Sequence, residues 1–316
     1  MRDHGGDLDR AKAAFGGGRW LDLSTGINPV AYPVPGLSND AWTRLPEAGA
    51  LRALINAARA AYDTPAEVVP LSGAQAAIQL VPRLRQPGRA AVVGPTYNEH
   101  AAALRAQGWQ VDEVSDIDQA AGADLAVVVN PNNPDGRIWT KDALTRLKHQ
   151  VGALVVDESF ADPSSEFSVA SDADDALIVL RSFGKFYGLA GVRLGFAITG
   201  GSMASKLRSL SGPWPVSGPA IAVGTAALSD QTWQMATRAR LAQDAVRLDA
   251  LADGAGWKLV GGTALFRTYR TGGAGAAQMQ LAEGRVWSRI FPYSDIWIRL
   301  GLPGSAQDWA QLGAAL

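Results

Sequence analysis

The sequence has 316 residues, of which 47% are hydrophobic and 19% are charged, and its formal net charge is −1. Such a chain can bury a large core, so we expect a folded protein with one large domain or a large domain and a small one. The near-neutral charge gives no electrostatic support for binding nucleic acid or an anionic membrane. The absence of cysteine excludes disulfides and thiolate metal sites.

Three further features narrow the class of protein. The histidines His4, His100 and His149 lie far apart in the sequence and do not have metal-ligand spacing. The N-terminal segment is polar, which is not typical of a signal peptide, and no uninterrupted apolar stretch is long enough to span a bilayer. We therefore expect a soluble, cytoplasmic protein without a metal site.

Strand and helix patterns alternate from the start of the chain to about residue 180. Short apolar runs predict buried strands, and apolar residues at helical spacing predict the helices between them. In chain order we predict a short strand at residues 22–24, a helix at 50–62, a strand at 68–71, a helix at 76–84, a strand at 89–93, a helix at 100–107, strands at 110–114, 125–129 and 153–156, and a last apolar run at 176–180. This alternation is typical of βαβ units.

The last third of the chain has a different pattern. A helical region over about residues 219–253 is rich in alanine and leucine and contains Arg–Asp pairs, which suits a helix that crosses between domains. After it we predict a small α+β unit, with strands at residues 257–260, 264–268, 285–290 and 295–300 and helices near 275–282 and 306–315. Arg289 and Arg299 lie in the last two of these strands, where a single arginine is usually a surface cation.

The segment that carries the clearest chemical signal is residues 181–196, RSFGKFYGLAGVRLGF. A lone lysine in a glycine-rich turn is usually solvated, but Lys185 has Ser182 before it and Arg193 after it. A neighbouring cation or burial lowers the pKa of a lysine and makes its amine nucleophilic. Ser182 and Arg193 are donors that can hold a phosphate. One amine beside one anion site suits a Schiff base with pyridoxal 5'-phosphate.

Polar residues also follow three of the predicted strands. The segment Ser72-Gly73-Ala74-Gln75 joins a strand to a helix start, which predicts either an anion site or an ordinary helix cap by Ser72. The loop 130–136, NPNNPDG, is constrained by two prolines and a glycine. The predicted strand at residues 153–156 is followed directly by two carboxylates, Asp157 and Glu158. A strand ending in Asp-Glu also occurs in nucleotide hydrolases, but the chain has no phosphate-binding loop of that class and no dinucleotide fingerprint.

Together these segments resemble the fold-type I pyridoxal phosphate enzymes, the aspartate aminotransferase superfamily, whose pattern is S-x-x-K with an arginine eight positions after the lysine. The resemblance implies an α/β fold, with a large domain built on a mostly parallel sheet flanked by helices and a small α+β domain. The large domain would span residues 38–235, and the N-terminal arm 1–37 and residues 236–316 would form the small domain. Pyridoxal 5'-phosphate is the implied cofactor.

The resemblance also implies a role for each matching residue. Lys185 would bind the cofactor, Asp157 would pair with its pyridine nitrogen, and Tyr97 would stack on its ring; these three are the expected catalytic residues. Asn133 would donate its amide to the phenolic oxygen of the cofactor. The full expected cofactor site is Ser72, Gly73, Ala74, Gln75, Tyr97, Asn133, Asp157, Ser182, Lys185 and Arg193.

Three further segments resemble the threonine-phosphate decarboxylases of cobalamin biosynthesis. They are the His-Gly-Gly sequence at residues 4–6, the segment STGINP at 24–29, and Phe160, where histidinol-phosphate aminotransferases have tyrosine. The resemblance implies decarboxylation of L-threonine O-3-phosphate to (R)-1-aminopropan-2-yl phosphate. The implied substrate-binding residues are His4, Gly5, Asn28, Asn133, Arg289 and Arg299.

Two other functions remain possible for a chain with this resemblance, and the sequence differs from many relatives at one motif. The rivals are an aminotransferase similar to the histidinol-phosphate enzymes and a regulator that binds the cofactor without catalysis. The family also implies a homodimer. Many relatives have Arg-Tyr-Pro-Asp where this chain has residues 44–47, RLPE, so Leu45 replaces a tyrosine that reaches the partner's cofactor phosphate.

Overall fold

The computed structural model describes residues 5–316, which divide into two compact units. The large unit comprises Tyr32–Asn133 and Ile138–Trp233. The small unit comprises residues 5–31, Pro134–Arg137 and Gln234–Leu316. The large unit has one β-sheet and the small unit has two, and the units are described separately below.

The strands of residues 5–316 belong to three sheets. In chain order they are β1 (Leu21–Asp22), β2 (Glu67–Leu71), β3 (Arg89–Val93), β4 (Gln110–Val114), β5 (Leu125–Val129), β6 (Leu154–Asp157), β7 (Leu177–Ser182), β8 (Gly195–Thr199), β9 (Lys258–Thr263), β10 (Phe266–Arg270), β11 (Val286–Trp287), β12 (Arg289–Phe291) and β13 (Ser294–Gly301).

The helices vary in length from a single turn to more than six turns. They are α1 (Leu8–Phe15), α2 (Asn39–Thr43), α3 (Ala48–Ala61), α4 (Ala74–Leu80), α5 (Glu99–Ala106), α6 (Lys141–Lys148), α7 (Phe183–Phe186), α8 (Gly201–Ser211), α9 (Gly218–Ser229), α10 (Gln231–Gly254), α11 (Ala274–Glu283) and α12 (Ala306–Ala315). Across residues 5–316, none of them combines the length and the apolar character needed to cross a bilayer.

The sheet of the large unit has seven strands in the order β2-β8-β7-β6-β5-β3-β4. Strands β4, β3, β5, β6 and β7 are parallel to one another, and β8 is antiparallel to both β2 and β7. Every residue of β5 and β6 is buried, because helices cover both faces of a mostly parallel sheet. The predicted strands of this region are confirmed, and so is the expected mostly parallel sheet.

The small unit is built on an antiparallel four-stranded sheet in the order β12-β13-β10-β9. Strand β1 pairs in parallel with β11 in a separate two-stranded sheet. Helix α11 packs on β13, and α12 packs on α11. The predicted strand at residues 285–290 is in fact two short strands, β11 and β12, because Ser288 interrupts the pairing.

One other expectation about secondary structure was incomplete. The helical region predicted at about residues 219–253 is two helices, α9 and α10, separated by Asp230 in a non-helical conformation. The Asp230 carboxylate accepts a hydrogen bond from the Trp233 backbone N–H, which starts the second helix. Strand β8 and helices α1, α2, α6, α7 and α8 were not predicted.

Candidate active site

The predicted cofactor residues lie where parallel strands of the large unit end. Strands β3, β5, β6 and β7 run in the same direction, so the loops after them meet at one edge of the sheet. These loops carry most of the predicted side chains into one pocket of about 170 Å³. The predicted residues that line it are Gly73, Ala74, Gln75, Tyr97, Asn133, Asp157, Ser182, Lys185 and Arg193.

Ser72 is the predicted cofactor residue that does not line this pocket. Its side chain is exposed, and its hydroxyl donates a hydrogen bond to the Pro215 carbonyl oxygen at 2.5 Å. The residues after it turn toward the pocket, because Gly73 has a φ of +80° and redirects the backbone. Ser72 therefore ties this turn to another loop and does not face the pocket.

Lys185 lies on α7, a helix of only four residues that begins directly after β7. A helix this short is not stable by itself, so it depends on packing. Phe183 and Phe186 are fully buried on either side of the lysine. Tyr187 stacks on Phe183 with ring centroids 4.4 Å apart and on Trp233 at 5.6 Å. This aromatic packing holds the helix while Lys185 itself stays partly accessible in the pocket.

Phe160 forms the wall of the pocket beside the lysine. Its ring is buried, and the Lys185 Nζ atom lies 5.5 Å from the ring centroid. A phenyl ring gives this wall an apolar surface and a cation–π contact with the ammonium group. It offers no hydroxyl to a ligand, in contrast to a tyrosine at the same place.

Asp157 is the buried anion of the pocket, with 2% of its surface exposed. One carboxylate oxygen accepts hydrogen bonds from the backbone and side chain of Ser159, and the other lies 2.8 Å from His100 Nε2. Burial by itself raises the pKa of Asp157, but the hydrogen bonds from His100 and Ser159 and the charge of His100 bring the pKa below its ordinary value. The carboxylate is thus held in its ionised form inside the pocket.

His100 was not among the predicted site residues. Its side chain is buried on α5, fifty-seven positions before Asp157 in the sequence. A single histidine that contacts a carboxylate far away in the sequence has no characteristic spacing, so no local pattern predicts this pair. Only the packing of α5 against the sheet brings the two side chains together.

Arg193 and Gly73 form the basic corner of the pocket. Arg193 has a φ of +54°, a strained conformation for a residue with a side chain, and its guanidinium donates to the Ala190 carbonyl oxygen at 3.1 Å. A Cβ atom added to Gly73 would lie 2.9 Å from Arg193 Nη2, so only glycine allows this approach. Ser182, at the end of β7, adds a hydroxyl to the same pocket.

Four of the predicted substrate residues, Gly5, Asn28, Arg289 and Arg299, belong to the small unit, whereas His4 lies outside the described residues. Gly5 is exposed, and a Cβ atom there would lie 2.3 Å from the Ser24 carbonyl oxygen. Asn28 is buried, and its side-chain oxygen accepts hydrogen bonds from the Val30 backbone and from the Arg240 guanidinium. The second of these contacts ties the STGINP segment to helix α10, which carries Arg240.

Arg289 and Arg299 are directly opposite each other on the antiparallel strands β12 and β13. Arg299 is 6% exposed, and its guanidinium donates to the Ser24 carbonyl oxygen at 2.7 Å. Burial and the nearby charge of Arg289 lower the pKa of Arg299 to about 10. Like charges directly opposite each other destabilise a sheet, so this pair favours the binding of an anion.

Comparisons with known proteins agree with this geometry. The family model for class I and II aminotransferases matches residues 42–308. Two proteins named threonine-phosphate decarboxylase, one from a Sinorhizobium species and one from Pseudomonas aeruginosa, are each 41% identical to the chain. The Sinorhizobium match covers 99% of this chain and the Pseudomonas match covers 100%, and each covers 97% of the relative. A solved histidinol-phosphate aminotransferase from Sinorhizobium meliloti, in complex with pyridoxal-5'-phosphate, has a similar fold, with a TM-score of 0.85 at 18% identity over 98% of this chain and 92% of that one. The chain therefore belongs to the class I and II aminotransferase family.

Proposed function

We propose that the protein decarboxylates L-threonine O-3-phosphate to (R)-1-aminopropan-2-yl phosphate and CO2, with pyridoxal 5'-phosphate as cofactor, in cobalamin biosynthesis. The observation that carries the proposal is the opposed pair Arg289 and Arg299, whose charges favour an anionic ligand. The names of the two relatives that match the whole chain at 41% identity support the same activity.

The pocket of the large unit fits the proposed cofactor. The ionised Asp157 carboxylate suits a protonated pyridine nitrogen, and Arg193 with Ser182 suits a phosphate. The amine of Lys185 would bind the aldehyde carbon, and the Asn133 amide would donate to the phenolic oxygen. When bound, the cofactor supplies an electron sink for the electrons of the bond broken at the substrate Cα.

The protein's contribution is to select which bond at Cα breaks. Arg289 and Arg299 would hold the phosphate of the substrate as fork donors, so that no arginine is needed to clamp the carboxylate. Binding energy at this remote group can be used to orient the Cα–carboxylate bond for cleavage. After CO2 leaves, Lys185 Nζ is the group that we expect to return a proton to Cα.

Asp157 and His100 would act together on the cofactor nitrogen. The hydrogen bond from His100 Nε2 keeps Asp157 ionised and oriented, so that the carboxylate could accept a hydrogen bond from a protonated pyridine nitrogen while the proton stays on that nitrogen. Phe160 adds no hydrogen bond to the pocket wall, which leaves Asn133 as the expected side-chain donor to the phenolic oxygen.

The proposal also includes a homodimer, as the family resemblance implies. The large unit exposes several large apolar side chains, Trp42 (67% exposed), Leu45 (64%) and Trp214 (55%). Exposed apolar groups of this size are typical of surfaces that another protein covers. Leu45 cannot donate a hydrogen bond to a phosphate, so we do not assign it the role that the tyrosine has in relatives.

One incubation tests the activity. Purified holoenzyme is mixed with O-phospho-L-threonine, and released CO2 and the amine product are measured. We expect stoichiometric CO2, and at least a hundredfold lower kcat/KM with unphosphorylated threonine, because two charge-assisted contacts are missing. Transfer of the amino group to a 2-oxo acid without CO2 would instead identify an aminotransferase.

A further inference from the structure

Gln75, in the first turn of α4, is held by a buried carboxylate. Its side-chain nitrogen donates a hydrogen bond to Glu99 Oε2 at 3.0 Å, and Glu99 is 5% exposed at the start of α5. A carboxylate can only accept hydrogen bonds, so the amide must present its NH2 group to Glu99. The opposite orientation of Gln75 would bring two oxygens together.

This orientation determines what Gln75 offers to Tyr97. The side-chain oxygen of Gln75 lies 3.2 Å from the Tyr97 hydroxyl, and both residues line the pocket that contains Lys185. An amide oxygen only accepts, so the tyrosine must donate its single proton to it. Toward any other group the Tyr97 hydroxyl is then an acceptor.

We propose that Glu99 is a positioning residue that acts through Gln75 to fix the Tyr97 ring, and that the Tyr97 hydroxyl is therefore not a proton donor in the reaction. The inference extends the proposed function, on which its second half rests. Tyr97 contributes the flat face of its ring, and the task of returning a proton to Cα stays with Lys185.

The start of α5 serves the pocket in two ways. Glu99 controls Tyr97 through Gln75, and the next residue, His100, binds Asp157 at 2.8 Å. The His100 ring also meets the Tyr97 ring edge to face, with centroids 6.3 Å apart. One helix turn thus sets both the aromatic face and the anion of the pocket.

A double-mutant cycle between Glu99→Gln and Tyr97→Phe tests the positioning role. The dissociation constant of pyridoxal 5'-phosphate is measured by absorbance titration of the full-length chain after cofactor removal. We expect Glu99→Gln to raise this constant about tenfold, the factor for one hydrogen bond to a charged group. In the Tyr97→Phe background no hydroxyl remains to be held, so the same substitution should change the constant less than about twofold.

Two controls make the result unambiguous. Glu113→Gln removes an exposed carboxylate that pairs with Arg105 of α5, and it should leave the constant unchanged. If Glu99→Gln does not fold, Glu99→Ala replaces it in the cycle, since it also removes the carboxylate that orients Gln75. An equal loss in both backgrounds, or no loss in either, would show that Glu99 does not act on Tyr97.

The proton assignment is tested by the pH dependence of kcat with O-phospho-L-threonine. In Tyr97→Phe the alkaline limb should keep its midpoint, whatever the level of kcat, because the proton comes from another group. Disappearance of that limb would overturn the assignment. The cofactor titration needs no substrate, so failure of the proposed decarboxylation would leave its result intact and would be seen separately as a lack of CO2.

Discussion

The two units each bury an arginine, and the surroundings of the two are opposite. In the large unit, Arg181 is 2% exposed and forms ion pairs of 2.6 Å with both Glu158 and Asp162. These carboxylates raise its pKa above the ordinary value, despite burial. In the small unit, Arg299 is 6% exposed and faces Arg289, and burial together with that charge lowers its pKa to about 10.

The difference separates a structural cation from one suited to a ligand. Arg181, near the end of β7, binds two carboxylates of the loop after β6, so it links two segments that carry pocket residues. Its guanidinium also lies over the Tyr62 ring, 4.4 Å from the ring centroid. Its charge is satisfied within the protein. For Arg299, burial and the charge of Arg289 outweigh the opposing effects of Asp22 and Tyr293, so an added anion would relieve the remaining repulsion. A buried charge alone therefore does not indicate a ligand-binding site. The charges of the groups around it indicate whether a ligand of opposite charge would be favoured.

The largest expected effect comes from Arg181→Met. The substitution leaves two carboxylates buried without their cation, and breaking such a pair costs about 3–5 kcal/mol of unfolding free energy. Urea denaturation measures the change. The matched control is Arg208→Met, since Arg208 pairs with Glu67 at the surface and such pairs contribute only about 0–1 kcal/mol. A similar loss in both variants would remove the distinction drawn for Arg181.

A smaller effect, on activity and not on stability, is expected for Arg299→Met. The variant loses a hydrogen bond to Ser24, worth about 1 kcal/mol, but it also removes the repulsion from Arg289, so the unfolding free energy should change little. The kcat/KM for O-phospho-L-threonine should fall about 10- to 100-fold, the range for a hydrogen bond to a charged group.

Arg270→Met is the control for this comparison. Arg270 is exposed on β10 of the same antiparallel sheet, so its removal changes the charge of the small unit without touching the opposed pair. We expect its kcat/KM to match that of the wild type. A fall in kcat/KM as large as that of Arg299→Met would mean that the net charge of the unit matters and that Arg299 has no special place.

The smallest expected effect is on the pH dependence of the unfolding free energy, and it comes from replacing Asp157. Like Arg181, Asp157 has a partner for its charge within the large unit, His100. Its folded-state pKa lies below the unfolded value, so the carboxylate stabilises the fold above about pH 4. That contribution is lost as the pH falls through the folded-state pKa. Between about pH 5 and pH 2 the unfolding free energy of the wild type should therefore fall more steeply than that of Asp157→Asn.

Denaturation series at several pH values measure this slope, and Asp142→Asn provides a control. Asp142 is exposed in the first turn of α6, and its removal should leave the slope nearly that of the wild type. If Asp157→Asn had the wild-type slope, the hydrogen bonds from His100 and Ser159 would not hold the carboxylate ionised.

The sequence by itself determined the strands of the large unit and the ends at which chemistry collects. The run LAVVV of β5 predicts a strand buried on both faces, and this is what the sheet requires. Polar residues placed directly after such runs share one edge whenever the strands are parallel. For this reason Asn133, Asp157 and Lys185 lie around one pocket, as their motifs predicted, although no local pattern measures the distances between them.

Local sequence signals mark two of the helix boundaries that were not predicted. Thr140 caps α6 by accepting a hydrogen bond from the Ala143 backbone, and Asp230 ends α9 and begins α10. Both are ordinary capping residues that precede a helical pattern. Helix α8 was harder to predict, since it begins with glycine, which is unfavourable in helices.

Only the tertiary structure decided which distant side chains meet. The glycine-rich segment before β8 resembles a loop in the sequence, so it does not predict the strand. Strand β8 forms because it pairs with β2 on one side and with β7 on the other. The contacts of His100 with Asp157, of Arg181 with Glu158 and Asp162, and of Gln75 with Glu99 join residues 19 to 57 positions apart. A periodic pattern reports which face of an element is buried, whereas hydrogen-bond partners depend on how the elements pack. The motifs were therefore readable from the sequence, and the residues that hold them in place were not.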